Sequence, residues 1–438
     1  AVSMKVLDQP DDRKIHAEPI PRMGGLAIAI SFFLAVVMCV KFTAQISGYI
    51  WGGGVSVLVG FLDDKYHLPP KIKFLGEIAA AASFILVSNT YLTDWGNLFG
   101  WGEVYFGSLG ILVTVFCMVG VMNALNLSDG LDGLASGISL ICLVFLAILA
   151  YEIGSWYVLT LIVALFGSIL GFLRFNNHPA KVFMGDTGSL LLGFMLGAIA
   201  VSLAAGVQAE ATVAPVTLAV LLGVPIVDTL YVMGKRLLQG LNPFHPDKTH
   251  MHHRLLKLGL QHSEVVAIIY TLTIFFCFLG WNIRLWPDWV QFYFGIACFI
   301  VLYFFLHILE RTNINYWIAR FNRKISSIKR RDFVSFSGKS VNYVQPLFLF
   351  FFLLPVIFIS PVNNMLGLFC FSAVGVILIL YPWRGGRKSM PLAYGIIFLA
   401  CFYLLMVYHF NSPLFQGIFY YLNIISFLAL LTAFLIES

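Results

Sequence analysis

Apolar residues recur along this sequence in blocks of about 18 to 20, the length a helix needs to cross a bilayer. Charged residues make up only 11% of the 438, and 60% are hydrophobic. Soluble domains carry roughly 25% charged residues, and no globular surface can be made polar with so few, so a single soluble core is excluded. A disulfide scaffold and a disordered chain fall with the same figures. The seven cysteines (Cys39, Cys117, Cys142, Cys277, Cys298, Cys370, Cys401) all lie inside apolar runs, with no CxxC or CxxH spacing, and read as small core residues. The expected fold class is all-α, a polytopic integral-membrane helical bundle.

About fourteen transmembrane helices are predicted, near residues 23–41, 46–62, 74–91, 108–125, 137–153, 157–174, 188–206, 212–232, 263–281, 289–309, 344–361, 364–382, 391–409 and 413–436. Assigning alternate connections to opposite faces puts all of the 27 Lys and Arg residues except Lys41 and Arg284 on the face that holds the N-terminus. An excess of Lys and Arg marks cytoplasmic loops, so that face is read as cytoplasmic. The polar chemistry sorts with it: Asp63, Asp64, Asp129, Asp132, Asp186, Asp228 and the histidines from His245 to His262 all fall there. The outward connections carry Trp95, Trp101, Trp156 and Trp286, which suit an interfacial belt. Three regions follow: a membrane domain over 1–310, a basic cytoplasmic linker over 311–343 suited to anionic headgroups, and a four-helix membrane extension over 344–438.

Four constellations carry chemistry. Gly60-Phe-Leu-Asp63-Asp64-Lys65 ends an apolar helix in two carboxylates, which oppose the helix dipole unless a cation or basic group compensates. The alternative is a solvated helix end. Lys71 and Lys73 follow and could hold phosphate by charge. In Asn123-Ala-Leu-Asn126-Leu-Ser-Asp129-Gly-Leu-Asp132-Gly, Asn123, Asn126 and Asp129 fall within about 120° of one helix face. That convergence suits a ligand or ion site, with a structural network as the alternative. Phe175-Asn176-Asn177-His178-Pro-Ala-Lys-Val-Phe183-Met-Gly-Asp186-Thr-Gly-Ser189 leads into an apolar helix. Asp186 there either caps the helix or meets a hard divalent cation while helix-start amides face phosphate. The fourth, Asn242-Pro-Phe-His245-Pro-Asp-Lys-Thr-His250-Met-His252-His253-Arg254, offers donors for sugar hydroxyls and phosphate. A solvated histidine cluster is its bland reading, and a zinc site its weakest.

In this order, and with the N-terminal stretch Asp8-Gln-Pro10 to Arg22-Met-Gly24-Gly25, these segments resemble the polyprenyl-phosphate N-acetylhexosamine-1-phosphate transferases, over residues 5 to 309. The His-Met-His-His loop resembles the branch that uses UDP-N-acetylglucosamine or a related UDP-HexNAc. Family members carry a membrane helix ahead of this stretch, and the four spans after 340 exceed the usual length. The resemblance implies that Asp186 is a direct ligand of Mg²⁺ (or Mn²⁺) and that Phe183 stacks on uracil. It further implies that Asn123, Asn126, Asp129, Asp132 and Asn176 line the nucleotide-diphosphate pocket, with Lys71 and Lys73 touching phosphate. Asp63 and Asp64 would lie where lipid phosphate meets sugar phosphate. His250, His252, His253 and Arg254 would recognise sugar and pyrophosphate, and Asp228 would be a structural partner. The implied partners are a UDP-HexNAc, a polyprenyl phosphate and a second copy of the chain, with no nucleic acid, in a bacterial inner membrane with the site facing the cytoplasm.

The implied reaction is attack by the lipid phosphate on the sugar-bearing phosphorus of the UDP-HexNAc, releasing UMP and starting a lipid-linked glycan. A covalent aspartyl-phosphate route through Asp63 or Asp64 is the alternative mechanism. Two other functions remain open from sequence: an intramembrane prenyltransferase with a Mg-diphosphate site, and a transporter or flippase, for which acids near the bilayer midplane are expected.

Overall fold

The computed structural model describes residues 7–8, 20–241 and 249–311. The linker beyond Arg311, the four predicted spans that follow it and loop residues 242–248 lie outside the described residues. Apart from a two-residue antiparallel pairing of Leu7–Asp8 with Ile20–Pro21 and an isolated bridge between Asp94 and Tyr105, the regular structure is helical. In chain order the helices are α1 (Gly24–Cys39), α2 (Ala44–Tyr66), α3 (Pro70–Ser88), α4 (Gly110–Ser128), α5 (Leu134–Glu152), α6 (Trp156–Asn176), α7 (Gly185–Ala205), α8 (Pro215–Leu221), α9 (Gly223–Leu238), α10 (Met251–Lys257), α11 (His262–Ile283) and α12 (Asp288–Arg311).

Seven of the described helices are long and apolar enough to cross a membrane, or eight if α8 and α9 count as one span. Every span predicted before residue 310 overlaps a helix. The span predicted at 212–232 is the exception in form: α8 and α9 meet at an 82° bend. Pro225 explains the break, since it has no N–H to give the carbonyl one turn back.

Helix α7 is the axis of the bundle, with nearly every residue from Thr187 to Leu203 buried. Lipid gives helices no hydrophobic reason to associate, so small residues that let backbones approach supply the packing. A Cβ on Gly60 of α2 would sit 2.5 Å from Thr187 Cα, and one on Gly193 of α7 would sit 2.6 Å from Met122 Cα of α4. These contacts press the C-terminal halves of α2 and α4 against the N-terminal half of α7.

The alternating helices bring the ends of α2, α4, α6 and α12 together with the starts of α3, α5, α7 and α11. The opposite end is closed by Glu152–Arg284 at 3.0 Å and by the Asn97 N–H donating to Asp288 Oδ2 at 3.0 Å.

Candidate active site

Helix α2 stops where Pro69 and Pro70 follow it. His67 takes the left-handed conformation and its N–H closes on the Asp63 carbonyl at 2.8 Å. The two acids just inside this end are compensated separately. Asp64 Oδ1 accepts the Asp186 N–H at 2.8 Å, and Oδ2 accepts the Thr187 N–H at 2.9 Å and its hydroxyl at 2.6 Å. A carboxylate from α2 therefore caps the positive end of α7. The sequence reading weighed that capping role for Asp186; Asp64 performs it, and the Asp186 carboxylate is left for other partners.

Those partners meet at Lys73, one turn into α3. Its ammonium lies 2.9 Å from Asp63 Oδ2 and 2.9 Å from Asp186 Oδ1, and donates to Asn126 Oδ1 at 3.1 Å. Asn126 in turn donates through Nδ2 to Asp186 Oδ1 and to Ser189 Oγ. Asp63 Oδ1 accepts the Leu68 N–H at 2.9 Å. Side chains from α2, α3, α4 and α7 thus converge on one ammonium, and the Asp186 side chain stays 28% exposed. Lys71 does not join them: it is exposed and, two residues away, lies about 200° around the helix.

One turn beneath Lys73, Glu77 is 1% exposed and accepts a hydrogen bond from Asn123 Nδ2, which also donates to the Val119 carbonyl. Asn123 therefore spends its amide protons inside the bundle. From sequence, Glu77 is an acid near a span end and not one of the expected site residues, although its place four residues after Lys73 in an apolar helix was a usable signal. Asp129 ends α4. Burial, with the carboxylates of Asp186 and Asp64, pushes it up to about 7, opposed by the Arg22 guanidinium.

Asp132 and Asn176 join two loops. Asp132 Oδ2 accepts His178 Nδ1 at 2.8 Å and the Ala180 N–H at 3.1 Å. Asn176 Oδ1 accepts the Gly133 N–H at 2.9 Å while Nδ2 donates to the Val182 carbonyl at 3.0 Å. The backbone of Phe183 is held on both sides, its N–H by the Pro21 carbonyl at 2.8 Å and its carbonyl by the Gly24 N–H at 3.0 Å. Possible ligand atoms of Asp132, His178 and His262 lie within 4.8 Å of one another. The two imidazoles, however, stack 4.1 Å apart at 19°, so their in-plane lone pairs cannot converge on one ion. His262 Nε2 also already accepts the Asp132 N–H at 3.0 Å.

The histidine turn is buried, not solvated. His250, His252 and Arg254 are 5%, 4% and 5% exposed, and His253 is half-buried. Asp228 on α9 accepts His250 Nδ1–H at Oδ2 (2.8 Å) and, at Oδ1, the Met251 N–H (2.8 Å) and the Tyr303 hydroxyl (2.9 Å). Arg254 donates through Nε and Nη2 to Glu310 at 2.7 and 2.9 Å, with its guanidinium 5.0 and 5.6 Å from the Tyr231 and Tyr303 ring centres. Burial, then the charge of His253, pushes His252 down to about 3, so it is neutral at physiological pH. Tyr303 and Glu310 lay beyond sequence reasoning, because nothing local links the end of α12 to this turn.

The glycosyl transferase family 4 profile matches residues 46–204. The chain is 36% identical, over 72% of its length and 86% of the relative's, to a probable undecaprenyl-phosphate N-acetylglucosaminyl 1-phosphate transferase of Bacillus subtilis (strain 168). It is 35% identical to a decaprenyl-phosphate N-acetylglucosaminephosphotransferase of Mycolicibacterium smegmatis, over 62% of this chain and 73% of that one. It is 27% identical to the undecaprenyl-phosphate alpha-N-acetylglucosaminyl 1-phosphate transferase of Escherichia coli (strain K12), over 76% of this chain and 90% of that one.

Proposed function

The chain belongs to glycosyl transferase family 4, and from that premise we propose that it transfers HexNAc-1-phosphate, as GlcNAc-1-phosphate, from a UDP-sugar to polyprenyl phosphate. The products are a polyprenyl-pyrophosphoryl-HexNAc and UMP. The observation that carries this reading is the single ammonium of Lys73 held between Asp63, Asp186 and Asn126 at one end of the bundle. A lipid headgroup and a water-soluble nucleotide can meet there, each in its own solvent. We place that end on the cytoplasmic side, where the Lys/Arg excess falls.

The chemical demand is electrostatic, because two anions must approach each other. The carboxylate oxygens of Asp186 and Asp63, each 2.9 Å from the Lys73 ammonium, are hard donors of the kind that suit a cation such as Mg²⁺. Asp186, with Asp63 beside it, would hold that ion, which would supply charge neutralisation at the diphosphate. Lys73 can trade its carboxylate partners for phosphate oxygens as substrate enters. An oxygen of the lipid phosphate attacks the phosphorus that bears the sugar, and the bond from that phosphorus to the UMP oxygen breaks. A phosphate monoester has its second pKa near about 6, so the nucleophile needs little general-base help at neutral pH. Asp64 has both oxygens committed to the start of α7, which argues against a covalent intermediate there and favours direct transfer.

The test is release of UMP by the purified chain given polyprenyl phosphate, Mg²⁺ and a panel of UDP-sugars. Asp186→Asn should lower that release by about 10³-fold with an unchanged melting temperature. Full activity in this variant would refute the assignment of Asp186, and no UMP from any UDP-HexNAc would refute the reaction. Without lipid acceptor, a single-turnover burst of UMP would indicate the covalent route instead.

A further inference from the structure

Asp228 has no place in the reaction just described, yet it is 5% exposed and fully engaged. It stands three residues past the Pro225 break, on the helix that turns through 82° from α8. A straight span would carry this acid along the bundle; the bent one meets the start of α10. There one carboxylate serves three donors from two segments: His250 Nδ1–H and the Met251 N–H at the start of α10, and the Tyr303 hydroxyl from α12.

We propose that Asp228 is a positioning residue for the transfer, acting through His250. A carboxylate can only accept, so His250 must keep its proton on Nδ1 and leave Nε2 as the nitrogen available to substrate. The same carboxylate caps α10 and so fixes the turn from which His250 projects. Tyr303 locks the carboxylate in turn, because its hydroxyl and the Met251 N–H both donate to Oδ1. The role of His250 toward the donor rests on the transfer reading above; the tautomer and its cause do not.

The geometry supplies a substitution that separates chemistry from folding. In Asp228→Asn the two donors at Oδ1 require an acceptor, so the amide oxygen stays there and the α10 cap and the Tyr303 bond survive. The amide NH₂ then faces His250 Nδ1, which must become the unprotonated nitrogen, and the proton moves to Nε2. Asp228→Ala would lose the cap as well and serves only as the structural control.

The experiment compares wild type, Asp228→Asn, His250→Gln and the double variant in detergent, by UMP release with UDP-GlcNAc and polyprenyl phosphate and by thermal melting. Asp228→Asn should melt within a few degrees of wild type and lose about 10²-fold in kcat, with a smaller change in KM. The double variant should be no slower than His250→Gln alone, since both changes strike one unit. Wild-type kcat in Asp228→Asn, or losses that multiply in the double variant, would overturn the proposal. Should the wild-type chain release no UMP, the transfer reading fails and the ¹⁵N resonances of His250, identified by their loss in His250→Gln, decide the positioning alone. A proton on Nδ1 in wild type and on Nε2 in Asp228→Asn is the expected result, and the same protonated nitrogen in both overturns it.

Discussion

Lys73 and Arg254 are both cations at the same end of the bundle, and they are held in contrasting ways. The Lys73 ammonium touches two carboxylates and an amide oxygen from three different helices, with its side chain 18% exposed. The Arg254 fork grips one carboxylate, that of Glu310, between two tyrosine rings, with its side chain 6% exposed. A lysine is a point charge on a flexible stem and can exchange one oxygen for another, whereas a guanidinium fixed by two parallel bonds gains from staying put. In the proposed reaction the first cluster trades partners with a phosphate, while the second keeps a turn in shape. The family resemblance implies substrate contacts for both, but Nε and Nη2 of Arg254 are already spent on Glu310.

The strongest way to break this comparison is Lys73→Met. Loss of the ammonium leaves Asp63 and Asp186 facing each other, and UMP release should fall by about 10²-fold or more; a variant with near-normal kcat would remove Lys73 from the transacting cluster. Glu310→Gln should behave differently, lowering stability by about 1 kcal/mol, because Glu310 is partly exposed and solvent screens the pair. Activity should fall less than in Lys73→Met, and the reverse ranking would dissolve the distinction.

Asp129 gives a pH test of the first cluster. Its carboxyl is raised to about 7 in the folded protein, so between the ordinary aspartate range and about 7 the folded state holds a proton that the unfolded chain has released. Its contribution is therefore favourable below that range and is lost as pH rises through about 7. Asp129→Asn should raise the melting temperature relative to wild type more at pH 8 than at pH 5, and an equal difference at both would show that Asp129 is not the group responsible. The smallest effect is expected for Lys71→Ala, exposed and turned away from the site, which should change kcat by less than about twofold.

Much of this site was legible in sequence. Asp63 and Asn126 were singled out from apolar helices that end in acids or amides, Asp186 from the turn that leads into one, and Lys73 from its place a few residues after the acid pair. Asn123 shows the limit: its helical spacing from Asn126 was read correctly, but Glu77 takes its amide, and only the packing of α3 against α4 could show that. The role of Asp64 was hidden in the same way, since its bond to the Asp186 N–H spans 122 residues. Asp228 looked like a marginal acid near a span end because a sliding view of hydropathy runs straight through the Pro225 bend.

The amino-acid order alone determined that the chain is a bundle of membrane helices, where most of them start and stop, and which polar residues sit at their ends. Those outcomes follow from local quantities: the hydropathy of a stretch, a proline, a pair of acids at a helix end. Tertiary structure decided which acid caps a helix, which meets the lysine and which holds a histidine. Each such choice depends on which helix ends are pressed together, and that is fixed by close packing along α7 between residues far apart in the chain.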